Sequence, residues 1–398
     1  MPEITYRPTE PADVEVLNRI LMDAFTSSDP ADAEQIAGWT ANAGIESLRT
    51  LESDGNIVGT TRFIEMGQYF GGKRVEMMGI AGVTISPEAR ATGVGRVLMD
   101  ETLKELSDRG TPISVLYASA CAFYRKVGYE TAGASYIHRV PLELVPRTPC
   151  PLIVRPYTEA DQDSIEACYE KTVRDRDGAV ARGEYIWQRV RCPSGKTARG
   201  FVFERAGGGI EGYIFYRQRP IPGVPFPMEL FATDLCATTP DARDTLFAYL
   251  RGYCSMCSHL VFEAGPLHPM ATVLAQQAAD TRMHEHWMLR VVDVKRALEQ
   301  RGYPRGGDAS LCFELNDDAI PSNTGVWTLT VTAGSGSLNK GGDPKLALDA
   351  RALAALYTGF ASARDLRVWT SLRCDDDRTL NTCDALFRGP SPGMAEMF

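Results

Sequence analysis

The chain has 398 residues, 44% of them apolar and 23% charged, with a formal net charge of −9. This length exceeds one ordinary core and predicts two or three domains of a soluble globular protein. The acidic balance argues against general nucleic-acid binding, which needs a basic face, and no apolar stretch reaches the roughly 18 to 20 residues of a membrane span.

The first residues, Met1 to Arg7, lack the basic-then-apolar pattern of a secretory signal. Ten cysteines in a chain this long do not form a disulfide framework, so a reducing cytoplasm is expected. The pair Cys254 and Cys257, with His259 nearby, lacks the second pair that a structural zinc site needs. The run from Thr245 to Cys257 reads as an amphipathic helix with its thiols inward; metal or redox use is the alternative, and no metal is expected.

The first third alternates strand and helix signals. Ile4 to Tyr6 predicts a strand, and Asp13 caps a helix running to about Phe25. Strands near 47–53 and 56–65 are joined by Asp54-Gly55, a hairpin signal. An extended run at 75–85 and a loop at 87–95 follow. Val97, Leu98, Leu103 and Leu106 then recur at helical spacing up to Gly110. Ile113 to Tyr117 predicts a buried strand, with a short helix through Tyr124 and Arg125.

A second stretch echoes the first. Arg7-Pro8 followed by Asp13 is matched by Arg155-Pro156 followed by Asp161. Ser86-Pro87-Glu88-Ala89-Arg90 is matched by Thr239-Pro240-Asp241-Ala242-Arg243. Where the first copy continues Thr92-Gly93-Val94-Gly95, the second has Thr245-Leu246-Phe247-Ala248, without glycine. Such a segment continues as helix and cannot wrap phosphates closely. The second copy therefore reads as a duplicated scaffold that lost its ligand, against chance similarity of an Arg-Pro strand start. A third stretch begins near His286-Trp287, with a strand at 327–331, a flexible turn region at Gly334 to Gly342 and a helix at Leu346 to Gly359.

Arg90-x-x-Gly93-x-Gly95 at the start of a helix is a phosphate-binding arrangement. Glycines let the turn present consecutive N–H groups, and the first helical turn adds its unpaired donors. Arg90 and Arg96 add charge at the rim. Strand, Pro, this motif, then an amphipathic helix resembles the GNAT superfamily of acetyltransferases. Phe123-Tyr124-Arg125-Lys126-Val127-Gly128-Tyr129 resembles that superfamily's aromatic-Tyr-x-x-x-Gly-aromatic element. Acetyl transfer from sulfur to nitrogen leaves a thiolate, which an adjacent phenol can protonate, so Tyr124 is the candidate general acid. The alternative is a packed ring whose hydroxyl is satisfied locally.

As a whole the chain is similar to the Eis (enhanced intracellular survival) acetyltransferases. The markers are its length, the active-then-degenerate repeat, the run Trp287 to Val294, Arg301-Gly302-Tyr303 and the terminal Phe398. The resemblance implies an α/β fold of mixed α+β sheets: a catalytic GNAT domain over 1–147, a degenerate GNAT domain over 148–285 and a sterol-carrier-protein-like domain over 286–398. It implies acetyl-CoA as donor, held by the loop Arg90, Ala91, Thr92, Gly93, Val94, Gly95 and Arg96 with the pyrophosphate on Thr92 to Arg96, the pantetheine arm along Val83, Thr84 and Ile85, and Ser119 as a further cofactor-binding residue. It also implies that the carboxylate of Phe398 takes the proton from the incoming amine, a docked structural tail being the alternative. A homohexamer is implied as well.

Phe25 and Trp39 stand where the family has aromatic pocket walls. Ser27 replaces an acidic residue there, although Asp29 and Asp32 follow, and Met397 precedes the terminal Phe with Glu396 one step back. Fewer charges at these positions predict weaker attraction for a polycation such as an aminoglycoside. The expected activity is acetylation of a primary amine on a small cationic molecule, aminoglycoside-like or polyamine-like, entering past Phe25, Asp29 and Trp39. Protein-lysine acetylation is the first alternative, and a non-catalytic CoA- or lipid-binding module the second.

Overall fold

Arg7 organises the start of the chain. It lies on β1 (Ile4–Pro8), grips Asp13 at 2.6 and 3.0 Å, and pairs with Glu52. The Asp13 carboxylate accepts the Glu10 N–H, and a 3-10 turn at Pro11–Asp13 leads into α1 (Val14–Phe25). Asp13 thus acts from inside the first turn, not from the cap position expected for it. The echo predicted in the sequence is a geometric one: Arg155 holds Asp161 at 2.8 Å through two nitrogens and Glu204 at 2.6 Å.

The computed structural model describes residues 3–25, 30–306 and 308–398. The chain divides into two compact units: residues 1–133 with 286–390 and 398, and residues 134–285 with 391–397. Among the described residues no helix is long and apolar enough to cross a membrane.

In the first unit α2 (Pro30–Ala43) follows α1, and then come β2 (Leu48–Ser53), β3 (Asn56–Phe70) and β4 (Lys73–Ile85). Asp54 and Gly55, both with positive φ (50° and 76°), make the tight turn between β2 and β3. α3 (Val94–Asp108) buries Leu98, Met99, Leu103 and Leu106, the apolar stripe read from its spacing. β5 (Ile113–Tyr117) and α4 (Cys121–Arg125) complete this part. The strand order is β1-β2-β3-β4-β5, antiparallel except for the parallel pair β4–β5.

β6 (Glu130–Pro141) carries the chain into the second unit. There follow β7 (Ile153–Pro156), α5 (Gln162–Val173), β8 (Val180–Ala181), α6 (Glu184–Arg191) and β9 (Arg199–Glu204). β10 (Ile210–Ile221), β11 (Val224–Ala237), α7 (Pro240–Arg251), β12 (Cys257–Ala264) and α8 (Pro269–Thr272) come next. Its strands run β6-β12-β11-β10-β9-β7, and β11–β12 is the parallel pair, matching β4–β5. α7 ends at Arg251 with Gly252 as its cap, so the helix expected to reach Cys257 stops short and Cys257 opens a strand. Cys257 is buried and Cys254 partly so, and no group of three metal-ligating side chains is assembled among the described residues.

The chain then returns to the first unit. Residues Trp287 to Val291 of β13 (Asp280–Val291) pair antiparallel with β5, so this run extends the sheet of the first unit. α9 (Val294–Gln300), β14 (Ala309–Asn316), β15 (Gly325–Thr332), β16 (Ser335–Lys340) and β17 (Leu346–Asp349) follow, and the last four form a sheet in the order β16-β15-β14-β17. Two expectations change here. Most of the glycine-rich run 334–342 is strand β16, because Ala333 and Gly334 (φ 50° and 79°) make a hairpin turn onto β15. Leu346 to Asp349 pairs with β14, and only then does Asp349 cap α10 (Ala350–Tyr357), its carboxylate accepting the Ala352 N–H. α11 (Ala363–Trp369) and α12 (Asp377–Phe387) close the unit.

The family markers have structural roles. Arg290, 1% exposed, donates to the Val127 carbonyl at 3.0 Å and to Asp317 at 2.5 Å. Arg301 is buried against the rings of Tyr357, Tyr303 and Phe387, and the Gly302 N–H donates to the Phe70 carbonyl. A side chain at Gly302 would collide with the backbone of Gly71.

Candidate active site

The parallel ladder of β4 and β5 runs from Met77↔Ile113 to Gly79↔Val115 and ends, although β4 continues to Ile85. β4 also gains a residue against β3, where Thr60↔Thr84 gives way to Arg62↔Ala81. This bulge at Gly82 (φ 58°) turns the strand away from β5. The two strands therefore part, and Val83, Thr84 and Ile85 lie on the edge that leaves β5.

Beyond that edge a 3-10 turn at Pro87–Ala89 leads to the glycine loop. Arg90 is exposed and donates through Nε to the Ile85 carbonyl at 3.2 Å, while Thr92 Oγ1 donates to Ala89. Ala91 and Gly93 take positive φ (62° and 96°), and Gly93 caps α3 with no side-chain partner. The first N–H groups of α3 are thus left open for an anion. A methyl group at Gly95 would make ordinary contacts with Ile85 and Phe123 at 3.4 and 3.5 Å, so space does not demand glycine there. Arg96 is engaged by Asp100 at 2.8 Å, which offsets the rim charge expected of it. Ser119 is exposed on the segment between β5 and α4. The open helix start, the positive-φ loop and the free strand edge fit the pyrophosphate and thioester arm of an acyl-CoA.

The second unit lacks this cradle. Thr239 caps α7 by accepting the Ala242 N–H, and Pro240 at the first helical position has no N–H to offer. The segment without glycine continues as helix from Pro240, as its composition predicted.

Tyr124 on α4 is 7% exposed, packed against Phe123 and Tyr129 with centroids 5.0 and 6.1 Å away. Its hydroxyl has no hydrogen-bond partner among the described residues, whereas Tyr129 shares a 2.7 Å bond with Ser114. Burial alone pushes the Tyr124 phenol up to about 12, so it keeps its proton at any working pH.

Phe398 belongs to the first unit. Its ring lies on Gly79, where the β4–β5 ladder ends, and meets Tyr117 edge-on at 5.8 Å. Trp39 lies over Gly82, and the Arg62 guanidinium is 4.8 Å from its ring centroid. Phe25, at the end of α1, is 57% exposed. Asp29 and Ser27 lie outside the described residues. Glu396 is not part of this cleft: it is buried in the second unit on Arg182 and Tyr169. Gly79, Gly82, Tyr117 and Arg62 were not singled out in the sequence. Two glycines inside one predicted strand were the available signal, since strand glycines mark bulges and close approaches.

The cleft and its fold define a GNAT N-acetyltransferase with a duplicated GNAT domain. Acetyltransferase (GNAT) domain profiles match residues 5–132 and 178–291, and a sterol carrier protein domain profile matches residues 294–395. An uncharacterized N-acetyltransferase of Streptomyces coelicolor is 30% identical over 357 residues, covering 83% of this chain and 84% of that one. The N-acetyltransferase Eis of Mycobacterium tuberculosis is 26% identical over 330 residues, covering 79% and 78%. The crystal structure of a GCN5-related N-acetyltransferase from Anabaena variabilis superposes with a TM-score of 0.91 at 29% identity, covering 100% of both chains. The chain belongs to the Eis-like family of GNAT N-acetyltransferases, whose GNAT domains use acetyl-CoA as the acetyl donor.

Proposed function

We propose that the enzyme acetylates a primary amine of a small cationic molecule, aminoglycoside-like or polyamine-like, by direct transfer in the first unit. The observation that carries this reading is the meeting of Phe398 and Gly79 where β4 and β5 part. Bound acetyl-CoA supplies an acyl carbon activated as a thioester. Thr92 to Arg96 hold its pyrophosphate, with Arg90, Ala91 and Ser119 as further cofactor-binding residues, and backbone N–H groups on the Val83–Ile85 edge polarise its carbonyl. The acceptor stacks against Trp39 and Phe25, with Asp29 attracting its charge.

In the reaction the amine nitrogen forms a bond to the acyl carbon as the carbon–sulfur bond breaks. The Phe398 α-carboxylate accepts the proton lost by nitrogen, and Tyr124 donates one to sulfur. A carboxylate with an ordinary pKa near 3.5 is a weak base, so its contribution comes from position. A phenol near 12 is a weaker acid than a thiol of about 8.5. Tyr124 therefore gives up its proton only as sulfur becomes a desolvated thiolate, whose basicity the same burial raises.

The test is a panel of polyamines, aminoglycosides and lysine peptides, read by thiol release from acetyl-CoA. Turnover of the small amines with no transfer to peptides is expected. Transfer to lysine peptides alone would replace this reading with protein acetylation. No transfer to any acceptor, with CoA still bound, would leave a binding module.

A further inference from the structure

The second unit repeats the strand split of the first. β11 and β12 run in parallel register from Met228↔Cys257 to Ala232↔Phe262 and the ladder ends, although β11 continues to Ala237. β11 also gains a residue against β10 there: Tyr216↔Ala232 gives way to Phe215↔Asp234, leaving Thr233 as a bulge. What this unit lacks is the glycine loop, since Thr239 and Pro240 occupy the start of α7. A strand edge opened in this way, without a phosphate cradle, fits a ligand shorter than a nucleotide cofactor.

A cavity of about 390 Å³ lies at this split, and all its lining residues belong to the second unit. The volume falls within the range of about 300–1,000 Å³ common to small-molecule sites. Leu246, Phe247, Phe262 and Met270 are buried and supply apolar wall, and Val273, 36% exposed, borders the opening.

Most charges on its wall are already engaged. Arg182 pairs with both Asp234 and Glu396, the Tyr213 hydroxyl donates to Asp234 at 2.6 Å, and Arg243 pairs with Asp244 at 2.8 Å. Glu263 has His284 3.8 Å away, and burial pushes its carboxyl up. Arg176, half-buried, pairs with no carboxylate among the described residues. His268 adds a second donor. Its Nδ1 accepts the Met270 N–H at 3.3 Å, so the neutral ring carries its proton on Nε2, which has no partner among the described residues. Burial first, and the Arg176 charge second, hold the ring's pKa at about 3, so it stays neutral and Arg176 is near it.

We propose that this cavity binds a small monocarboxylate with an apolar body, its carboxylate taken by Arg176 and the His268 Nε2–H and its body lying against Leu246, Phe247 and Phe262. An unpaired guanidinium beside a neutral N–H donor is an anion site, and the apolar wall leaves room for a short chain or ring. A cationic amine would meet Arg176 without a counter-charge. Arg176→Gln leaves no buried carboxylate without its partner, so the fold holds.

The experiment titrates the full-length enzyme, with CoA present at saturation, against octanoate, octanamide and octylamine by calorimetry. Octanoate should bind, and octanamide, the same body without the charge, should bind about ten-fold or more weakly. Arg176→Gln should weaken octanoate to the level of octanamide and leave octanamide itself unchanged. Val273→Trp, which narrows the opening without touching a charge, should weaken both by about ten-fold or more. The CoA Kd should be the same in all three proteins. Octanoate affinity unchanged in both variants would place the acid outside this cavity and overturn the proposal. Absence of octanoate binding, or tighter binding of octylamine, would overturn it as well, the latter in favour of a cation held by Glu263.

Discussion

The Phe398 ring covers Gly79 so closely that a methyl group built on that glycine would stand 2.7 Å from the ring carbon Cε2. The same methyl would meet the Met66 side chain at 2.5 Å. Gly79→Ala must therefore displace Phe398, Met66 or both. Overpacking of this kind costs about 1–3 kcal/mol, which lowers stability without unfolding the domain. Steady-state kinetics should show kcat down by about ten-fold or more, since a displacement of roughly 1 Å is enough for such losses. Acetyl-CoA affinity, assigned in the proposed mechanism to the loop near Gly93, should hold.

Tyr124→Phe removes a hydroxyl that has no protein partner among the described residues, so the thermal midpoint should hardly move. Thiol release should slow by roughly 10² or more, the usual contribution of a positioned acid. Because burial holds the phenol at about 12, no loss of rate on the alkaline side up to about pH 10 should belong to Tyr124. A kcat profile that loses a limb near neutrality in Tyr124→Phe would contradict this assignment.

Gly93 has φ 96° at the cap of α3, with open space around it. Gly93→Ala meets no neighbour, yet its backbone is strained by about 1–2 kcal/mol. Relief of that strain should reorient the loop and weaken acetyl-CoA by roughly ten-fold in equilibrium titration. At saturating donor, kcat should be nearly restored.

Trp39→Ala removes the ring that covers Gly82 and stacks with Arg62. The acceptor KM should rise while the donor Kd and the CoA-binding loop are unaffected. Losing the cation–π contact should cost about 1–2 kcal/mol at this buried guanidinium, visible as a lower midpoint in denaturant. An unchanged KM across the whole amine panel would remove Trp39 from the acceptor pocket.

His268 in the second unit packs against the rings of Phe262 and His138, and burial pushes its pKa down to about 3. His138 is lowered too, again mainly by burial. A histidine whose folded pKa is depressed stays neutral while the unfolded chain takes up a proton below about 6.5. Stability from these groups is therefore full above that pH and declines as pH falls through it. Asp161, held at about 2 chiefly by Arg155, begins to matter only below about 4, as unfolded aspartates protonate. Hydrogen exchange should show the amides around His268 losing protection between about pH 6.5 and 4, before those around Asp161. His268→Phe should flatten that first step.

Much of the fold was legible in the residues because its signals are local. The β2–β3 turn follows from Asp54-Gly55, α3 from the spacing of Leu98, Leu103 and Leu106, and the missing second cradle from the lack of glycine after Arg243. The repeated Arg-Pro and Asp pairs could be read as duplication, and they fold into the same ion-pair device at Arg7 and Arg155. The errors came where pairing partners are distant. Leu346 to Asp349 has helical spacing but lies beside Phe313 to Asn316, and Ser335 to Lys340 gains its order from β15.

The sequence alone marked the loop proposed for an acyl-CoA phosphate, because a glycine's freedom and an uncapped helix start are properties of a few consecutive residues. Only the tertiary structure brought Phe398 onto Gly79, laid Trp39 over Gly82 and buried Glu396 on Arg182. Those placements join residues far apart in the chain. They depend on where β4 leaves β5 and on which charges can share a dry interior, and neither is written in any local run of residues.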